Sequence, residues 1–236
     1  MRQTIQLFRV GLRQVSKDGL LVMLLPTPLL VGLIFRFGIP LADNILTEKL
    51  SFTLLPWYGL ADGMLICLTP MFVAIVSAFL MLEERDEGIS AFYQITPAAG
   101  YPYLTARIGI PVLWAFAATV IVSGFLNISG FGSAVLWAGS LLSVLTGIAL
   151  SMMVVSIAGN RVEGLALSKM MSVSFLGLIL YWFVSEPYSY ILAFLPSYWI
   201  GKIIMDGASV ISFTFGILSC FIWILIFVRR FMRHMQ

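Results

Sequence analysis

The chain has 236 residues, of which 60% are hydrophobic and 11% charged, with a mean hydropathy of +1.01 and a formal net charge of +3. A soluble domain has about a quarter of its residues charged, so this composition excludes a water-soluble fold. At about 20 apolar residues per helical crossing, the length accommodates roughly six crossings joined by short connections, with no separate soluble domain. The expected fold is an all-α polytopic membrane protein, a single transmembrane domain over residues 1–236.

Within residues 1–18, apolar Ile5, Phe8, Leu12 and Val15 stand at helical spacing, while Arg9, Arg13 and Lys17 recur every four residues on another face. This pattern predicts a basic amphipathic helix in the inner membrane interface, serving either as a plain anchor for the first span or as a contact surface. The first long apolar run follows Gly19 and ends without a small-residue cleavage signature, so it reads as an uncleaved span. Apolar windows run from Gly19 to about Leu41, Trp57 to Leu82, Ile108 to Asn160, Met170 to Ser185 and Gly207 to Val228. The third is about twice the length of one crossing. Asn127-Ile-Ser-Gly-Phe-Gly-Ser133 supplies the turn chemistry to fold it into a hairpin, which brings the total to six spans.

Pro26 and Pro28 in span one and Pro70 in span two remove backbone hydrogen bonds and are expected to bend those helices. Residues 187–206 are apolar and aromatic but too short to cross, and Pro196 interrupts them. They read as outer interfacial or re-entrant half-helices. Placing both termini in the cytoplasm puts the great majority of Lys and Arg inside and leaves Arg36, Lys49 and Lys202 in the outer half.

Several chemistries are missing. Cys67 and Cys220 lie in apolar runs and read as packing residues, and the single histidine, His234, is near the C-terminus, so no metal site is expected. There is no G-x-x-x-x-G-K-[ST] phosphate loop and no nucleophile paired with a buried base, so neither ATP hydrolysis nor other catalysis is expected of this chain. The charges within spans are Arg36, about 25 Å above the inner end of span one, and Asp62, about 7 Å below the outer end of span two. At this similar depth they either pair across the two spans or snorkel separately to the headgroups.

The most informative stretch, residues 83–107, follows span two. Glu83, Glu84, Asp86 and Glu87 surround Arg85 at a helix C-terminus, where the dipole favours cations, so they call for positive partners. Arg9, Arg13 and Arg107 of this chain are candidates, as are residues of another subunit. Gly88 can end the helix, after which Ile89, Phe92, Tyr93 and Thr96 share one face of a short amphipathic helix that Pro97 terminates. Gly159–Lys169 forms a shorter companion connection with little resemblance to it.

Residues Glu83, Glu84, Glu87, Gly88, Thr96 and Pro97, followed by Tyr103 to Arg107, resemble the type-2 permease family of ABC transporters, and the overall layout is similar along nearly the whole chain. The resemblance implies that this segment is the coupling helix that docks on a cytoplasmic ATPase, with Ile89, Phe92 and Tyr93 in the contact. It also implies a second permease subunit, identical or homologous, and ATP and Mg held by the partner ATPase, with no cofactor in this chain and no nucleic-acid partner. On this reading the protein is the permease of a plasma-membrane exporter for an apolar or amphipathic cargo, such as a drug, antibiotic, peptide or lipid. The alternatives are an ion-coupled secondary transporter and a non-transporting membrane scaffold.

Overall fold

The structure, a computed structural model, describes residues 2–89, 101–185 and 187–234, and among them there is no β-strand. The helices in chain order are α1 (Arg2–Lys17), α2 (Gly19–Leu50), α3 (Leu55–Asp86), α4 (Pro102–Leu126), α5 (Ser133–Ile157), α6 (Arg161–Phe183), α7 (Pro196–Asp206) and α8 (Val210–His234). Six of them, α2 to α6 and α8, are long and apolar enough to cross a membrane.

Burial divides these six into a centre and a ring. In α3 and α5, 89% and 72% of the apolar window is buried, against 17% to 28% in the other four, so α3 and α5 form the core and the rest face outward. Small residues allow the central pair to approach closely. Gly139 and Gly147 of α5 face Ile66 and Pro70 of α3, and a Cβ on Gly147 would stand 3.2 Å from the Pro70 carbonyl oxygen.

The prolines act differently in the two helices. Pro26 interrupts α2 between Gly19–Leu24 and Thr27–Leu33, whereas Pro70 lies inside a helix that runs unbroken from Tyr58 to Asp86. The hairpin turn falls between α4 and α5, where Gly130 supplies the left-handed backbone (φ +70°). The Gly159–Lys169 stretch is not a separate connecting segment. Asn160 caps the N-terminus and Arg161–Lys169 forms the first turns of α6, which continues through a 3₁₀ stretch at Met171–Phe175.

The half-helix α7 sinks into the bundle, with Tyr198, Trp199 and Ile200 buried. Gly177 of α6 makes room for it, since a Cβ there would lie 2.7 Å from the Tyr198 backbone nitrogen. At the opposite end of the bundle, Val15 of α1, Leu21 of α2 and Phe231 of α8 share one buried cluster, so both termini lie at the same end, here the terminal end. The protein-facing side of α1 is Leu7, Gly11 and Val15, one turn apart, while Ile5 and Leu12 of the expected apolar face are exposed.

Candidate functional site

The acidic end of α3 carries Glu83, Glu84, Glu87 and Gly88 of the expected docking segment. The helix ends at Asp86, and Gly88 takes the left-handed conformation (φ +70°) with its N–H donating to the Arg85 carbonyl (3.1 Å). Of the segment that follows, Ile89 is the last described residue. Phe92, Tyr93, Thr96 and Pro97, expected on the docking helix, lie outside the described residues. The chain is described again where Tyr101 leads into α4, whose first turns include a π-helical turn at Thr105–Gly109.

That π turn carries Arg107, and with it a buried ion pair. Arg107 and Glu84 are 1% and 0% exposed, and the guanidinium binds the carboxylate through two nitrogens: Nη2 to Oε1, and Nε to Oε2 at 3.1 Å. The Tyr103 hydroxyl donates to the same Oε2 (2.9 Å), and Arg107 Nη1 donates to the Leu7 carbonyl of α1 (3.1 Å). Glycine at position 11 makes this possible, because a Cβ there would collide with the guanidinium. One bidentate pair therefore joins the end of α3, the start of α4 and α1.

The neighbouring acids bind the second connection at this end. Arg161, at the start of α6, pairs with Asp18 and reaches Glu83 Oε1 at 3.6 Å, and its backbone N–H donates to Asp86 (2.9 Å). Asp18 also caps α2 by accepting from Leu20 N–H (2.9 Å) and Leu21 N–H (3.2 Å). The hydrogen bond from Arg161 holds the Asp18 carboxyl below the usual carboxylate range. Arg85 leaves the acidic cluster and caps the C-terminus of α5, donating to the carbonyls of Ala158 (2.8 Å) and Val155 (3.1 Å). Glu87 remains exposed, as do Arg9, Arg13 and Lys17 on α1.

Arg36 and Asp62 do not bond to each other. Both grip the turn between α4 and α5 at the end opposite the termini. Arg36, itself in a π-helical turn at Ile34–Gly38, donates to the Asn127 carbonyl (2.5 Å). Asp62 is 1% exposed and accepts from Ile128 N–H (3.0 Å), Ser129 N–H (2.8 Å) and Ser129 Oγ (2.5 Å). The turn gives each charge partners of its own, a carbonyl for Arg36 and two N–H groups and a hydroxyl for Asp62.

Two comparisons of variants test these assignments. Arg107→Met leaves Glu84 buried and unpaired and is expected to cost about 3–5 kcal/mol, most of which Glu84→Leu/Arg107→Met restores. Denaturant unfolding in one detergent measures both, and a double variant as unstable as the single contradicts the pair. Asp62→Ala is expected to cost about 1–3 kcal/mol for each donor it leaves bare, more than Arg36→Ala, which removes a single bond. Equal losses in the same unfolding assay would point to a direct pair instead.

Comparison with known proteins gives this geometry a setting. Residues 11–230 match the family described as "Fluoroquinolones export permease protein Rv2686c-like". Two curated relatives, the fluoroquinolones export permease proteins Rv2686c and MT2760 of Mycobacterium tuberculosis strains H37Rv and CDC 1551, are each 28% identical over 199 residues, covering 82% of this chain and 78% of theirs. No solved structure matches. The chain belongs to the Rv2686c-like family of export permease proteins, in keeping with its resemblance to type-2 ABC permeases, and is a multi-pass protein of the plasma membrane.

Proposed function

We propose that this chain is the permease subunit of an ATP-driven exporter, with its terminal end in the cytoplasm and a separate ABC ATPase docked on residues 83–107. The observation that carries this reading is the buried Glu84–Arg107 pair, which holds the two ends of that segment together and fastens both to α1. A push on the segment then moves α3, α4 and α1 as one body, which is what a subunit without its own energy source requires. The ATPase supplies ATP and Mg binding. Two permeases, identical or homologous, assemble around the path.

Fluoroquinolones, named for the relatives, are the first cargo to test. They fit spans whose buried charges are committed to structure. An ion-coupled carrier is disfavoured because Arg36 and Asp62 are bound to the 127–129 turn, away from mid-depth.

The test is purification from the native membrane with mass spectrometry of the bound partners, alongside ATP turnover. Wild type is expected to retain an ABC ATPase whose turnover rises with fluoroquinolone. Phe92→Asp and Gly88→Pro are expected to weaken its binding about thirtyfold or more, as loss of a central aromatic anchor does. A permease that exports fluoroquinolone on a proton gradient with no ATPase bound would overturn the proposal, and an ATPase bound without any effect on its turnover would make the chain a scaffold.

A further inference from the structure

A cavity of about 650 Å³ lies between α1, α2, α3 and α4, within the size range of about 300–1,000 Å³ of small-ligand pockets. Its walls are Phe8, Leu12 and Val15 of α1, Leu25 of α2, and residues of α3 and α4 such as Leu80 and Trp114. Leu12, Leu113 and Trp114 are 53%, 70% and 63% exposed, so the cavity opens sideways through the ring of helices rather than toward the core. Its polar side chains are few: Ser77, the Trp114 indole, and Arg107, whose guanidinium is already committed to Glu84 and Leu7.

The rim is of the opposite character. Arg9 and Arg13 each follow a cavity-lining residue of α1, Phe8 and Leu12, by about 100°, and Lys17 stands one turn beyond Arg13; all three are exposed, and among the described residues none has an acidic partner. A carbon-walled slot bordered by unneutralised cations matches an amphiphile with an apolar tail and an anionic head. A compact polar cargo would require converging polar groups inside, and the slot offers almost none.

We propose that this cavity is a binding site for an anionic phospholipid, one acyl chain lodged between α1 and α4 and its phosphate held by Arg9, Arg13 and Lys17. The lipid fills the space beside Arg107 and so braces α1 against α3 and α4. The inference is independent of which cargo the protein moves and of what drives it.

Trp114 provides the probe. In phosphatidylcholine bilayers, phosphatidylglycerol with brominated acyl chains is titrated into the full chain, and the Trp114 contribution is isolated by subtracting Trp114→Phe. Quenching is expected to saturate at about a tenfold lower mole fraction than with brominated phosphatidylcholine, the preference that three interfacial cations readily supply. Arg9→Gln/Arg13→Gln/Lys17→Gln is expected to abolish that preference. Ala117→Phe, which narrows the slot without touching a charge, is expected to lower the saturable quenching by both lipids. Equal quenching by the two lipids in wild type, or a preference that survives neutralisation of the rim, would overturn the site.

Discussion

The architecture depends on a charge pair placed where charges are costly. Glu84 and Arg107 are removed from water almost completely, and the desolvation of two such ions offsets much of their mutual attraction, so an apolar pair of similar volume would serve stability as well or better. What the ions add is direction. A planar guanidinium with two bonds to one carboxylate and a third to the Leu7 carbonyl specifies how three segments sit relative to one another, which packed methyl groups do less strictly. The space for it comes from glycine at position 11 and from the π turn that presents Arg107 inward.

The same logic extends along α3. At its terminal end the helix offers Glu84 to α1 and α4, Glu83 and Asp86 to the start of α6, and Arg85 to the end of α5. Near its other end Asp62 holds the turn that joins α4 to α5. Between these points it is the most buried span of the bundle. Under the docking proposed for residues 83–107, α3 is the element that would carry a displacement from the terminal end to the far turn. The depressed carboxyl of Asp18 keeps its bond to Arg161 through the neutral range and loses it only as the pH falls through that lowered value.

Much of this was legible in the sequence, and the limits have physical reasons. Hydropathy and turn chemistry located the six spans and the hairpin at 127–133, because a membrane core demands continuous apolar helices and glycine-rich turns stand out against them. Glycine at 88 pointed to the helix end for the same kind of local reason. The choice of partners was hidden. Four carboxylates within five residues point in directions about 100° apart, and which one meets Arg107 depends on how α3 is rotated in the bundle. Depth arithmetic correctly put Arg36 and Asp62 toward the same end, yet it is blind to position around the helix axis and to the turn that both side chains grip. On α1 the expected apolar face was offset, with Ile5 and Leu12 exposed, because the face that meets protein is marked by a glycine, which hydropathy does not register.

The central claim is that the Glu84–Arg107 pair unites both ends of the connection with α1. Amide hydrogen exchange of wild type and Arg107→Gln in detergent tests it most directly. The account predicts that exchange rises together at the end of α3, at the start of α4 and across α1, while α5 and α7 keep their protection. An α1 that exchanges no faster in the variant would contradict it, since the helix would then be held by its apolar contacts alone.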